Sequence, residues 1–419
     1  MQTLCAHAVL PESTERENSA GEWDLLLRCV RQNFKSGSSS LNPVPAAFKW
    51  AHLLELAQRH QVITFVDAAL RDLDWVPSQV HGWLAVWRRT IVAHNLSLAS
   101  ELSAVLEALR LCGIAAMPFK GPAWTKVLYG SLAARHIADL DLFVKRSDVG
   151  RASKVLRDRG YVLLKSLEGT QLDDCKDLGF CQPGTGIQLE LHWSACEASL
   201  DARLARATLW RPESKSPPER GEIPLPSPAR MFLLLAIHGF RHRWSSLKWV
   251  CDIAAFVHVF TDLDWNCVLC EAGKLGRKRL VLLSLCMAER LLQVDLPQPV
   301  ASAIASDPIL AAVAAELQRR YYIDHVDTLN SEPVSDRVFV EWFRVQMRDS
   351  SVERFGLHSK FILALILPND NDRVLGHGRL PEPFYWLGRP VRLLRQYGLA
   401  RFLTRGLQFF VRSTPHEQL

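Results

Sequence analysis

Two aspartates at the head of an apolar run constrain this chain more than any other feature. Residues 119–144 open with Lys120-Gly121 and close with Asp139-Leu140-Asp141 leading into Leu142-Phe143-Val144. Carboxylates are poor strand formers, so a pair of them at a strand start costs local propensity, and such violations tend to mark sites. On a strand, residues i and i+2 face the same way, so Asp139 and Asp141 project together while Leu140 and Leu142 face a core. Two like charges that close repel unless a cation sits between them, and paired oxygen ligands suit Mg²⁺. Taken alone, the pair also reads as solvated aspartates in a turn. Its company shifts the balance: Arg135 lies four residues upstream, and residues 187–193 alternate apolar Ile187, Leu189 and Leu191 with polar Gln188, Glu190 and His192. That period of two predicts a strand, from which Glu190 can supply a third acid.

The chain has 419 residues, 48% hydrophobic and 22% charged, and a net charge of +6. This length and balance suit a folded protein of two or three domains. The mild basicity favours anionic substrates such as nucleotides without diagnosing nucleic-acid binding. The ten cysteines follow no framework spacing, so reduced thiols and a cytoplasmic setting are expected. The single C-x-x-C, Cys267 to Cys270, has no second pair and a helical context, and reads as packing rather than a zinc site. Glu12, Glu15 and Glu17 with no long apolar core argue against a signal peptide, and no run reaches the ~18 apolar residues of a membrane span.

Periodicity and breakers predict an α+β protein: a small mixed sheet with helices, flanked by N-terminal helices and a C-terminal helical domain. The expected parts are a flexible tail over 1–20, a helical region over 21–100, a catalytic domain over 101–200, a Pro-rich linker over 201–228 and helices over 229–419. The long helix is expected over about 79–111, stopped by Cys112-Gly113. Strands are expected over 114–119, 139–144, 161–165, 179–182 and 187–193. Helices are expected over 122–129, with Pro122 in the first turn, over 148–159, and in the last domain over 229–240, 247–259, 275–292 and 309–322. Between Arg389 and Arg412 lie six arginines and no acid, interleaved with leucine and phenylalanine. That stretch reads either as a helix docked on the bundle or as a peripheral contact with an anionic membrane.

Lys120-Gly121, Tyr129, Arg135, Asp139, Asp141 and Glu190-Leu191-His192-Trp193 resemble the pattern of an uncharacterised bacterial nucleotidyltransferase family with the nucleotidyltransferase fold. His238, His242, Trp244, Leu247, Trp249 and Asp252, then Pro368-Asn369-Asp370 and Arg389-Pro390, extend the likeness over about residues 45–400. The resemblance implies a metal-dependent transfer of a nucleoside monophosphate from an NTP to a hydroxyl of an unknown small molecule, peptide or protein. Asp139, Asp141 and Glu190 would bind Mg²⁺ or Mn²⁺, and Glu190 would also accept the hydroxyl proton. Gly121 would admit phosphate to a backbone N–H, and Lys120 would add a charge. Arg135 would either clamp phosphate or neutralise Asp139, and His192 would orient an acid or contact substrate. His238 and Asp252 would form a pair holding the bundle or line the cleft. No specific nucleic acid is expected. One departure stands out: well-understood members of the fold carry Gly-Ser, whereas Gly121 is followed by Pro122, which lacks an N–H and a hydroxyl. A non-catalytic nucleotide- or partner-binding regulator on the same fold is the alternative.

Overall fold

Helix α4, Ser78–Leu111, is the longest element in the computed structural model, at about 50 Å for its length. The structure describes residues 20–34, 41–164, 175–197, 200–207, 223–322 and 334–366. Most of the expected tail, Pro212, Pro217 and Pro218 of the expected linker, the motif at 368–390 and the arginine-rich stretch lie outside the described residues. Val80, Leu84, Ile91, Asn95, Leu98, Leu102, Val105 and Leu109 form the buried stripe of α4, their steps of three, four and seven keeping one face inward. Gly113 at φ +67° ends the run. On this stripe α4 meets the N-terminal helices α1 (Ala20–Gln32), α2 (Trp50–Arg59) and α3 (Ile63–Leu70) at one end through α3, and the sheet at the other.

The sheet has five strands: β1 (Ala116–Pro118), β2 (Leu140–Val144), β3 (Val162–Leu163), β4 (Asp177–Cys181) and β5 (Gln188–His192). Their order is β1-β2-β5-β4-β3. Only β2 and β5 run parallel, a pairing that needs a crossover, and the chain supplies it through α6 (Val149–Asp158) and the β3–β4 hairpin. All five residues of β2 are buried, as befits a strand covered on both faces. Helix α5, Gly121–Tyr129, follows β1 directly, with Pro122 in its first turn.

The remaining helices build around α8 (Pro228–Arg241), α9 (Leu247–Val259) and α11 (Lys278–Leu292), which pack on one another. The turn from α8 to α9 is tight: Arg243 and Trp244 are both left-handed, and Trp244 N–H donates back to Gly239 O at 2.8 Å. The Trp244 indole lies so close to Gly239 that any Cβ there would fall within it, a close approach only glycine permits. Helix α10, Trp265–Lys274, is capped by Asp264, whose carboxylate accepts from Asn266 and Cys267 N–H. It buries Val268 and Leu269 and leaves Cys267 and Cys270 exposed. The two cysteines are therefore not packing residues as expected, because the helix turns its Trp265–Val268–Leu269 face inward.

Residues at the start of the expected linker also carry structure. Asp201 caps the short helix α7, Ala202–Arg206, and its buried carboxylate accepts from Arg277 at 2.5 and 3.0 Å and from Arg348. Asp201 thereby ties α7, the helix that follows β5, to the later helices. Among the described residues no single helix is long and apolar enough to cross a membrane.

Candidate functional site

Register decides which acids meet. Parallel pairing sets Asp141 of β2 opposite Glu190 of β5, and Phe143 opposite His192, so all four lie on one sheet face. Next to them on β4, Gly179 opposes Glu190 and Asp177 opposes His192. His192 is the hub. Its Nε2 lies 2.8 Å from Asp141 Oδ1 and 3.1 Å from Glu190 Oε2, and its Nδ1 lies 3.5 Å from Asp177 Oδ2. The other Asp141 oxygen pairs with the Lys120 ammonium at 3.0 Å. Donor atoms of Asp141, Glu190 and His192 fall within 4.8 Å of one another, so these three could hold a metal ion.

The site differs from expectation in its exposure. A solvated or metal-binding aspartate pair implies open carboxylates, yet Asp141 is only 3% exposed. The alternation of β2 did not imply a wet face, because Phe119 and Lys120 at the head of α5 close over it: the Phe119 ring lies 5.7 Å from His192. Glu190 is the acid that reaches water, with 41% of its side chain exposed. Asp139 is half-buried and precedes the first residue of β2; it stands outside the three-donor set but within the field of Asp141 and Glu190.

The charges respond to this arrangement. Burial would raise the Asp141 carboxyl, but the Lys120 ammonium and the His192 hydrogen bond outweigh it and hold it well below the usual range. Glu190 is also lowered, chiefly by the His192 hydrogen bond. Asp139 goes the other way, raised by burial and by Asp141. Two neighbouring carboxylates pushed apart in this way have the character of a working site.

Lys120 carries a backbone cost as well. It sits at φ +68° and ψ −148°, followed by Gly121 at φ +66°. Glycine takes such angles freely, whereas a lysine held there stores about 1–3 kcal/mol. The nearest atom to a Cβ on Gly121 is Asp139 O at 3.7 Å, so conformation rather than crowding calls for this glycine. A small cleft beside α5 is lined by Lys120, Gly121, Thr125, Tyr129, Arg135 and Asp252, among others.

Arg135 takes Asp252 as its direct partner, and Asp139 acts on it only through the field. Nε and Nη2 donate to the two oxygens of Asp252, each at 2.7 Å, and Tyr129 Oη donates to the same carboxylate at 2.8 Å. Asp252 thus pairs with Arg135 rather than with His238. The loop carrying Arg135 is held from α4, where Asn95 donates to the carbonyls of Leu132 and Arg135 and accepts from Ile137 N–H. Sequence reasoning passed over Asn95 although it is the one polar residue in the buried stripe of α4. It also passed over Lys248, a lysine at the apolar start of α9, only 8% exposed, and Asp177. A buried lysine in a hydrophobic run is a signal that could have been read; nothing local marks Asp177.

Residues 46–293 match the model of a family described as uncharacterised nucleotidyltransferase. No curated protein matches the chain, and no solved structure does.

Proposed function

The chain belongs to the uncharacterised nucleotidyltransferase family, and from that premise we propose that it moves a nucleoside monophosphate from an NTP to a hydroxyl of a small molecule, peptide or protein, with a divalent cation. The observation that carries this reading is the β2–β5 register that sets Asp141 against Glu190, with His192 bridging them.

The donor set suits a divalent ion: two carboxylates and an imidazole nitrogen within 4.8 Å. Mn²⁺ accepts all three donor types, while Mg²⁺ would use the carboxylates and leave His192 to orient them. As a ligand through Nε2, His192 would carry its proton on Nδ1, which faces Asp177, the outer partner such a ligand usually has. Asp139 adds a further carboxylate beside the set. When bound, the ion would neutralise phosphate charge and favour the ionised nucleophile.

The chain's own groups account for the rest of the step. The acceptor oxygen bonds to the α-phosphorus, the bond from that phosphorus to the bridging oxygen breaks, and pyrophosphate leaves. Glu190, the most exposed member of the donor set, accepts the hydroxyl proton. The ammonium of Lys120, seated on Asp141, keeps that carboxylate ionised.

The test is incubation of the pure protein with each α-³²P-labelled NTP and Mg²⁺ or Mn²⁺, beside Asp139→Asn and Asp141→Asn variants, following label into protein and added metabolites. Transfer by the wild type alone is expected. A second reading draws on the two Asp141 oxygens, both already engaged by Lys120 and His192: the fold binds nucleotide without turnover. Metal-dependent nucleotide binding with no transfer to any acceptor offered would favour that regulator.

A further inference from the structure

Taking its substrate class from the nucleotidyltransferase reading, we propose that the nucleotide's polyphosphate is held by a cationic wall at the α8–α9 turn, centred on Lys248 with Arg241, and not by Lys120 and Arg135. Lys120 and Arg135 are the cations that the sequence pattern offered for phosphate, and both are committed elsewhere: Lys120 to Asp141 at 3.0 Å, Arg135 to both oxygens of Asp252. Withdrawing either would strand a buried carboxylate, which is costly.

Lys248 is in the opposite condition. Its side chain is buried, and its ammonium hydrogen-bonds the neutral amide of Gln61; among the described residues it forms no ion pair with a carboxylate. Its charged surroundings mix Arg135 and Lys120 with Asp252 and Asp139, which places it beside the acids of the site. Arg241, at the end of α8, has a side chain 11% exposed and, among the described residues, a single carboxylate neighbour in Glu197 at 3.5 Å and a buried Nε without a hydrogen-bond partner. His238, 7% exposed and within the field of both cations, has a buried Nδ1 that likewise has no partner among the described residues. Buried polar groups are normally satisfied, so an unmatched guanidinium N–H, an imidazole whose Nδ1–H tautomer can donate and a lysine with no carboxylate partner around one turn point to an anion that completes them.

The wall is continuous with the acids. The Phe119 ring lies 6.0 Å from His238 on one side and 5.7 Å from His192 on the other. His242 lies 4.6 Å from the His238 ring and stacks on Trp249 at 4.7 Å and 19°. The local field is positive: burial together with Arg241, Lys120 and Lys248 lowers His242 to about 3, and burial together with Lys120 lowers His238 well below its usual range. A chain of phosphates carries the charge, and the several acceptor oxygens, to match such a surface.

Calorimetric titration of the full-length protein in Mg²⁺ tests this with inorganic tripolyphosphate, which has no nucleoside to transfer, and with an NTP and its NMP. Lys248→Met, close in volume and free of the buried charge, is expected to weaken tripolyphosphate and NTP by about 10- to 100-fold, the worth of a charge-assisted hydrogen bond. NMP affinity is expected to stay near wild type, and Lys248→Arg to restore most of the loss. Unchanged tripolyphosphate affinity in Lys248→Met, with the loss appearing in Lys120→Met instead, would overturn the proposal, as would a wild type that does not bind tripolyphosphate. Lys248-dependent tripolyphosphate binding in a protein that transfers no label would count against catalysis and leave the wall standing.

Discussion

Asp141 has each carboxylate oxygen on a different cationic or donor group, Lys120 and His192, with 3% of the residue exposed. Removing one partner of such a buried group leaves the others uncompensated and costs roughly 3–5 kcal/mol. Asp141→Ala is therefore expected to lower the urea midpoint markedly as well as to abolish transfer, so loss of activity in that variant says little about chemistry. Asp141→Asn keeps an acceptor for one neighbour and should lose less stability while remaining inactive; denaturation curves of the two variants check the difference. The pH dependence has a definite sign. The Asp141 carboxyl is lowered in the fold from its ordinary 3.8, so its stabilising contribution is complete above about pH 4 and is lost as pH falls through the folded value.

At the scale of elements, α5, the 130–139 loop and α9 are joined by Tyr129, Arg135 and Asp252. Two parallel N–H···O bonds make this pair directional as well as strong. Arg135→Met or Asp252→Leu alone should each cost roughly 3–5 kcal/mol, while the double variant should recover a large part of that loss, because no unpaired charge remains. A double-mutant cycle by urea unfolding measures it; additive losses would show that the pair is not coupled. Arg135→Lys should behave more like the single disruptions than like wild type, since an ammonium cannot reproduce the fork.

Across the whole molecule, the charged groups buried between the sheet and the later helices set how stability follows pH. Lys248 is lowered to about 7, first by burial and then by Arg135. Between about pH 7 and the ordinary lysine range, the unfolded chain binds a proton there that the folded chain does not, so this group makes stability rise with pH. Lys176, lowered to about 8 by burial and Arg241, acts in the same direction. Lys248→Met should be more stable than wild type at pH 6.5, and the gap should narrow towards pH 9; thermal unfolding of both proteins at the two values is the check. A gap that is constant with pH would mean that the ammonium is not destabilised by its surroundings. A lysine that lowers stability in the free protein fits a residue kept for a ligand.

Local pattern was enough for the elements. The stripe of α4 and its stop at Cys112-Gly113 place that helix at Ser78–Leu111 against an expected 79–111, and α9 falls on Leu247–Val259 as its apolar spacing requires. The strands bearing Asp141 and Glu190 were legible too, from an alternation of period two, and so was the α+β class. What the chain could not reveal locally is which charges meet. Arg135 finds its partner 117 positions away, so a reading confined to neighbours offered only phosphate or Asp139. The burial of Asp141, the three contacts of His192 and the lack of a carboxylate partner for Lys248 among the described residues likewise exist only once the helices have packed with the sheet. Helical and strand periods are written in the order of side chains along the backbone, whereas the pairing and solvation of a charge depend on surfaces brought together from distant segments, and those are decided by tertiary packing.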